Sequence, residues 1–415
     1  MRTFKNCAST AIAAGALVLA ACTNWLSVDN PNVIDNDALD PVADAVLLAK
    51  SAQQNFASAY GWLIIYSSWF TGETDVSETF PTRNEFGRRD ITIQNGSLDF
   101  DVWFPLSQSV ASAYLVLDAA LPNPSTNINY ARVNLFLGFS YVFMAEQFCQ
   151  GAVRAGPALT PLNMLDSAVA HFTLAISQGN GAGGEGIILA NAAQVGIARA
   201  QLQAGRLPEA IAAANAVPAG FNYNLNYVDD LAQRTRLANK MWIFVRDRGS
   251  IAVAPIWRTT TSDTLRVPWL VTTAFAPQDA AYASDRGVPY AIQRKYTDYN
   301  APVRLASKLE ADYIAAEAQG TGAQATLVDA RRAAFGQGPF GFSAPDSVLT
   351  EFFRQKGLDF YLEGKRMGDF QRHPTNIIGV PVPGSVYWKP GFAPVSNNTC
   401  FPLPITETDN NPNFP

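Results

Sequence analysis

The chain has 415 residues, of which 48% are hydrophobic and 16% charged, and its formal net charge is −5. This length and composition are enough to bury one large core or two moderate ones, and they exclude disorder over most of the chain. The acidic balance gives phosphate groups no complementary surface, so we expect no nucleic acid partner.

The first 21 residues have the pattern of a secretory signal peptide. Arg2 and Lys5 give it a positive start, and an apolar stretch follows at 11–21. That stretch is too short for a transmembrane anchor, because a bilayer core requires about 20 apolar residues. It ends in Leu-Ala-Ala-Cys at Cys22, which looks like a bacterial lipobox and implies cleavage before Cys22 and lipidation of that residue. Several acyl chains on one residue make a stable membrane anchor.

The polar, turn-rich segment at 22–40 suits a lipidated tether, and we expect a single folded domain at 41–415. Apolar residues recur there at three- and four-residue spacing, which is the period of an amphipathic helix. We therefore predict a mainly α-helical domain, with helical repeats at about 104–218 and about 303–372.

The clearest supersecondary signal is a helical hairpin around Gly205. This glycine stands where a helix C-terminus needs a positive φ, Pro208 stands at the start of the next helix, and Pro218 ends that helix. Alanine-rich faces and an Ala-x3-Phe-x2-Ala spacing around Phe172 are typical of tetratricopeptide helices. We predict tetratricopeptide-like repeats, and a generic pair of Ala-rich helices is the alternative.

Two stretches, 68–100 and 220–300, lack helical periodicity and mix aromatic residues with Pro, Gly, Asn and Thr. Loops of this length in a compact domain usually have a functional reason. Sugars present apolar C–H faces beside hydroxyl groups, so a sugar site pairs flat aromatic rings with carboxylate, amide or guanidinium groups. For each aromatic, core packing is the alternative. The predicted ligand-binding residues are Trp69, Asp75, Phe80, Arg83, Trp257, Trp269 and Tyr282.

The sequence contains four cysteines. Removal of the signal peptide eliminates Cys7, and lipidation would occupy Cys22. The remaining two, Cys149 and Cys400, would fold in a compartment that permits disulfides, so we predict a bridge between them. Two buried free thiols are the alternative.

No arrangement of residues indicates a known catalytic chemistry. The chain has only two histidines, and it has neither a Gly-x-Ser-x-Gly sequence nor a cysteine pair with metal-ligand spacing. Carboxylate pairs such as Asp75 with Glu78, or Glu310 with Asp312, could serve glycoside hydrolysis, but scattered acids are mostly solvated. We therefore expect a protein that is not an enzyme and that uses no metal and no cofactor.

Four segments of the final third carry ordered motifs. They read PVRLASKLEADYIAAEAQG at 302–320, LVDARRAAFG at 327–336, EFFRQKGLDFYLEGKRMGDFQRH at 351–373 and CFPLPITETDNNPNF at 400–414. In this order and spacing they resemble the SusD/RagB family. The residues that match the family pattern include Glu310, Glu317, Arg331, Glu363, Gly364, Arg366, Asp369, Arg372, Phe401, Pro402, Pro404, Glu407, Asn411 and Pro412. We interpret the segment from Glu363 to Asp369 as an ion-pair turn that fixes the scaffold, and not as a ligand site.

The resemblance implies a scaffold of tetratricopeptide-like helix pairs with a loop-rich ligand-binding part. It also implies a lipid-anchored protein of the outer membrane that faces the cell exterior. Such a protein binds an oligosaccharide, or in some relatives a peptide, and delivers it without chemical change to a SusC-like TonB-dependent channel. The main alternative is a tetratricopeptide-like scaffold lipoprotein that assembles other envelope proteins, and a glycosidase is the third possibility.

Overall fold

The computed structural model describes residues 40–258, 262–271 and 290–414, and helices dominate these ranges, as the sequence predicted. The lipidation site Cys22, the signal peptide, the tether before residue 40 and the predicted ligand-binding residue Tyr282 lie outside the described residues. Within the described ranges, no helix is both long and apolar enough to cross a membrane. No group of three or more His, Cys, Asp or Glu side chains in the same ranges is arranged to hold a metal ion.

The helices are Ala45–Phe70 (α1), Pro81–Gly87 (α2), Phe104–Leu117 (α3), Ile128–Gln147 (α4), Pro161–Ala182 (α5), Glu185–Gln203 (α6), Leu207–Asn215 (α7), Arg234–Leu237 (α8), Lys240–Arg246 (α9), Lys308–Gln319 (α10), Thr321–Ala334 (α11), Pro345–Asp359 (α12), Arg366–Arg372 (α13) and Ile405–Asn410 (α14). A π-helical turn at Leu98–Trp103 leads into α3, and short 3-10 helices lie at Pro255–Arg258 and Ser262–Leu265. The strands are Thr74–Val76 (β1), Asn222–Leu225 (β2), Ile251–Val253 (β3), Trp269–Val271 (β4), Ala291–Gln293 (β5) and Val303–Ser307 (β6).

Helix α4 lies at the centre of the scaffold. Every residue from Asn129 to Gln147 is buried, and a helix buried on all faces must be enclosed by its neighbours. Helices α1, α3, α5 and α6 pack around it. Phe56 of α1 meets the rings of Phe136 and Phe143 with centroid distances of 5.1 and 6.2 Å, so aromatic packing joins α1 to α4.

Close helix packing around Phe172 forms the repeat-like part of the fold. A Cβ added at Gly138 of α4 or Gly196 of α6 would lie 2.7 or 2.3 Å from the Phe172 ring of α5, so only glycine fits at either position. The predicted hairpin follows, with Gly205 at φ 74° after α6 and a proline in the first turn of α7. Helix α10 packs on α6 and α7 and continues the succession, which is the stacking expected of tetratricopeptide-like pairs.

The strands form three separate two-stranded antiparallel sheets, β1 with β3, β2 with β6 and β4 with β5. The first of these joins the two irregular stretches that the sequence singled out, since β1 lies in 68–100 and β3 lies in 220–300. Regions distant in sequence therefore meet through main-chain hydrogen bonds.

The C-terminal motifs form buried ion pairs. Glu363 accepts hydrogen bonds from Lys295 at 2.6 Å and from Arg304 at 2.8 Å, and Glu317 pairs with Arg372 at 2.7 Å. A buried carboxylate without a partner would be strongly destabilising, so these cations are required for the motif to lie inside the fold. The geometry supports the interpretation of the motif as a scaffold element.

The structure confirms the predicted disulfide between Cys149 and Cys400. Beside it, the Phe401 amide donates to the Gln147 carbonyl at 2.6 Å and the Cys149 amide donates to the Phe401 carbonyl at 2.9 Å. The bridge therefore ties the end of α4 to the segment before α14.

Candidate functional site

A cleft with a volume of about 310 Å³ opens where three irregular segments meet. Its first wall comes from 69–87, its second from 254–256 and its third from 379–395. We call it the loop cleft. The first two walls belong to the two irregular stretches from which the sequence predicted ligand-binding residues, and the third was not predicted.

Strand pairing and one indole join the first wall to the second. Thr74 and Asp75 of β1 lie opposite Val253 and Ala252 of β3. The Nε1 of Trp257 donates a hydrogen bond of 2.9 Å to the Gly72 carbonyl. The strand pairing and the indole hydrogen bond therefore fix the first wall of the cleft against the second.

The first and third walls touch through two glycines. Gly72 has φ 72°, and a Cβ at this position would lie 2.0 Å from the Gly379 carbonyl oxygen. Any larger residue would push the two backbones apart. The Arg366 guanidinium donates to the carbonyls of Thr71, at 3.1 Å, and Ile378, so one buried arginine of the family-like motif holds both segments. The motif thus positions the cleft without lining it.

Polar contacts fix the third wall on α2 and the residues around it. The Tyr387 hydroxyl donates to Asn84 Oδ1 at 3.1 Å, and Lys389 Nζ donates to the Glu78 carbonyl at 2.5 Å. Arg89 donates to the Pro381 carbonyl at 3.0 Å. These bonds order a segment that has no helix or strand of its own.

Aromatic and polar groups line the same cavity. Trp388 of the third wall is partly exposed, and Asp75 of the first wall is partly exposed as well. The Trp69 ring is buried behind them, with 1% of its surface exposed, yet it reaches the cleft and its Nε1 has no hydrogen-bond acceptor among the described residues. The Nε1 atom itself is buried, so the groups that a ligand can reach are the Trp388 ring and the Asp75 carboxylate, which suit a ligand with apolar faces and hydroxyl groups.

Glu73 is buried between two lining residues of the first wall. Burial raises the pKa of its carboxyl group to about 7, although the Arg366 charge and the Leu362 amide both act to lower it. The Leu362 amide donates to Oε1 at 3.3 Å. At neutral pH this group is therefore divided between its neutral and charged forms.

The structure brings together some of the predicted ligand-binding residues and separates others. Trp69 and Asp75 line the loop cleft. Trp257 packs beneath it with 3% exposure and its N–H occupied, so it is a packing residue in this structure and not an exposed platform. Trp269 in β4 and the exposed Phe80 lie outside the cleft lining.

Arg83 likewise serves the scaffold in this structure. Its guanidinium donates to both oxygens of Glu78 at 2.8 and 3.0 Å, to Asp101 at 3.0 Å and to the Tyr66 hydroxyl at 3.0 Å. A guanidinium with its donors used in this way has little left for a ligand. The structure therefore does not place Arg83 among the residues that line the loop cleft.

Sequence reasoning missed the third wall, although the signal was present. Residues 379–395 contain four prolines, three glycines and three aromatic residues, the composition that marked the other two irregular stretches. The segment directly follows the family-like motif at 351–373, and no prediction was made for it. Trp388 is the important residue that was overlooked.

Three of the four carboxylates considered for hydrolysis are held in ion pairs. Glu78 is fully buried and bound to Arg83, Glu310 pairs with Lys365 at 2.8 Å, and Asp312 pairs with Lys308 at 2.8 Å. A glycosidase requires one carboxyl group that can donate a proton beside the sugar and a second on its other side. Glu78, Glu310 and Asp312 are instead engaged by cations in this structure.

Comparison with known proteins identifies the fold. No protein-family model matches the chain, and no curated protein matches it by sequence. Solved structures do match over nearly the whole length. A SusD superfamily protein from Parabacteroides distasonis superposes with a TM-score of 0.67 and 14% identity, covering 91% of this chain and 99% of that one.

Two further structures have names that describe a ligand. A laminarin-binding SusD-like protein matches with a TM-score of 0.65 and 13% identity over 90% of this chain and 98% of its own. A SusD-like carbohydrate-binding protein from Bacteroides vulgatus matches with a TM-score of 0.60 and 14% identity over 80% of this chain and 83% of its own. The chain has the fold of SusD-like proteins, as the motifs of its final third predicted.

Proposed function

We propose that the chain binds an oligosaccharide in the loop cleft. The observation that carries this proposal is the placement of partly exposed Trp388 in one cavity with Asp75 and Trp69. Sugar rings stack on aromatic faces while their hydroxyl groups bond to carboxylates and N–H donors. Two structures of the same fold are named for laminarin or carbohydrate binding, which supports this ligand class over a peptide.

We further propose that the protein carries its ligand without cleaving it. The ion-paired carboxylates described above support binding over hydrolysis. The lipobox-like sequence at Cys22 supports a lipid anchor in the outer membrane, from which the protein would face the cell exterior and deliver the sugar to a SusC-like TonB-dependent channel. A scaffold lipoprotein that assembles envelope proteins is the alternative function, and it requires no sugar site.

Calorimetric titration with laminarihexaose and a panel of other neutral oligosaccharides tests the site. Replacing Trp388→Ala should weaken binding by about 1 to 3 kcal/mol, because a stacking face is lost at the centre of contact. Thermal melting should be nearly unchanged, since Trp388 is only partly buried.

Phe100→Ala is the matched control, because Phe100 is an exposed aromatic that does not line the cleft. It should leave the affinity for sugar unchanged. Equal losses in both variants, or normal binding by Trp388→Ala, would show that the sugar does not rest in the loop cleft.

A further inference from the structure

A second cleft, with a volume of about 900 Å³, lies on a different part of the scaffold and shares no lining residue with the loop cleft. Its walls come from β2, from the segment after β5, from β6 with the start of α10, and from α11. We call it the basic cleft. Its lining has six basic and three acidic residues, Arg266, Arg294, Lys295, Arg304, Lys308 and Arg331 against Asp312, Asp359 and Glu363.

The charges of the basic cleft are arranged in two layers. The inner layer is Glu363 and Asp359, whose side chains are each 2% exposed. The outer layer is Lys295, Arg304 and Arg331, whose side chains are 21 to 23% exposed. Solvent in the cleft therefore meets cations, while the carboxylates that hold them lie beneath.

The two inner carboxylates, Glu363 and Asp359, cannot neutralise all the basic residues of the cleft. Glu363 binds both Lys295 and Arg304, at 2.6 and 2.8 Å, and Asp359 binds both Arg331 and Arg266, at 2.8 and 3.3 Å. Each inner carboxylate thus faces two cations. Because Lys308 is paired with Asp312 and Arg294 adds a further charge, the cleft keeps an excess of positive charge although the whole chain is acidic.

Donor groups in the cleft remain unused. Arg304 and Arg331 each bond to protein acceptors through Nε and Nη2, and no hydrogen bond within the described residues engages the Nη1 of either. Both guanidinium groups bond to Asp359. Arg304 donates to the main-chain carbonyl of Asp359 at 2.7 Å, and Arg331 donates to the Asp359 carboxylate. Arg294 is exposed, and no contact within the described ranges engages its side chain.

Aromatic rings hold these cations in place. The Arg304 guanidinium carbon lies 4.7 Å from the centroid of the Phe360 ring, and that of Arg331 lies 5.3 Å from the Phe335 ring. A guanidinium fixed by a carboxylate on one side and a ring on another has already lost its freedom, so binding a ligand costs little further ordering. Its fork of N–H groups matches the oxygens of a carboxylate, sulfate or phosphate.

We propose that the basic cleft binds an oxyanion group of a small ligand, through Arg294 and the free Nη1 groups of Arg304 and Arg331. The bound group would be a carboxylate, a sulfate or a phosphate. A uronic acid sugar carries a carboxylate. The site is independent of the loop cleft, and it stands whether or not a neutral sugar binds there.

Calorimetric titration of the purified protein at low ionic strength tests this site with four probes. These are trigalacturonate, inorganic sulfate, inorganic phosphate and the neutral sugar galactotriose. At least one of the three anions should bind at the basic cleft, and galactotriose should not. Anion binding should weaken as NaCl rises from about 20 to 300 mM. This range brackets 0.1 M, where the Debye length is about 10 Å. The anion that binds tightest identifies the preferred oxyanion.

Variants locate the bound anion. Arg294→Glu should weaken anion binding by about tenfold or more, whereas Arg294→Lys should stay within about threefold of the unmodified protein, because it keeps the charge. Arg236→Glu is the matched control, since Arg236 is an equally exposed arginine outside the basic cleft and makes the same change in net charge. Arg294 takes no part in the buried ion pairs, so all three variants should melt like the unmodified protein.

Three outcomes would overturn the proposal. One is that no anion binds, and another is that Arg294→Glu and Arg236→Glu weaken binding equally, which would show an effect of net charge alone. The third is anion binding that survives Arg294→Glu and is lost in Trp388→Ala, which would place the anion in the loop cleft.

Discussion

Glu73 links the first wall of the loop cleft to the family-like turn after α12. Its side chain is 1% exposed, and its carbonyl accepts a hydrogen bond of 3.0 Å from the Tyr361 hydroxyl. Burial raises the pKa of its carboxyl to about 7, above the ordinary value of 4.5. Below pH 4.5 the group is neutral in both the folded and the unfolded chain. As the pH rises to 7 the unfolded chain loses this proton first, so the free energy of unfolding falls across that interval.

We expect Glu73→Gln to remove this pH dependence. At pH 8 the variant should be more stable than the unmodified protein by about 3 kcal/mol, since the pKa rises from 4.5 to about 7 and each pKa unit corresponds to about 1.4 kcal/mol, and near pH 4.5 the two should be similar. Denaturant unfolding at both pH values measures the difference. Glu209→Gln, at an exposed position, should show no such change. An equal difference at pH 4.5 and pH 8 would contradict the assignment to Glu73.

At the scale of single residues, the sequence predicted the kinds of residue that line a site better than it predicted which individual residues do so. Aromatic residues in irregular stretches indicated a site, and Trp69 and Asp75 do line the loop cleft. The same criterion could not separate them from Trp257 and Arg83, because burial depends on which distant segment packs against each side chain. Trp257 is covered because its N–H meets the Gly72 carbonyl, a contact across 185 positions of sequence.

Among the structural elements, the disulfide and its neighbouring hydrogen bonds connect α4 to the C-terminal segment. Replacing Cys149 and Cys400 together by serine should lower the free energy of unfolding by about 2 to 5 kcal/mol, because the bridge closes a loop of 251 residues in the unfolded chain. Denaturant unfolding without reductant measures this change. Unchanged stability, or two titratable thiols in the unfolded and unreduced protein, would contradict it.

Local signals explain why some elements were predictable. Gly205 and Pro208, three residues later, define the helical hairpin by their own backbone preferences, without reference to the remainder of the chain. The pairing of β1 with β3 and the approach of Gly72 to Gly379 depend on segments far apart in sequence. No local pattern could specify those contacts, so the composition of residues 379–395 could mark that segment but could not place it at the loop cleft.

For the whole molecule, membrane attachment is the property that rests on sequence alone. Cys22→Ala should release the protein from the membrane fraction, because the acyl chains on Cys22 would provide the anchor. Fractionation of cells followed by immunoblotting measures the distribution. A variant with Cys149 and Cys400 replaced by serine is the control and should remain with the membrane. Tight membrane association of Cys22→Ala would count against the lipid anchor.

Charge is distributed unevenly over the whole molecule. The net charge of −5 led us to expect no nucleic acid partner, but it did not show that six basic residues gather in one cleft. Composition averages over the chain, whereas ligands respond to the local arrangement of charge.

The central claim is that this protein with a SusD-like fold binds an oligosaccharide and releases it intact. The most direct measurement is calorimetric titration of the purified protein with laminarihexaose and the neutral oligosaccharide panel, followed by chromatography of the recovered sugar. We expect saturable binding of at least one sugar to a single site, with its chain length unchanged after prolonged incubation. The absence of binding to every sugar, or the recovery of shortened sugar, would contradict the account.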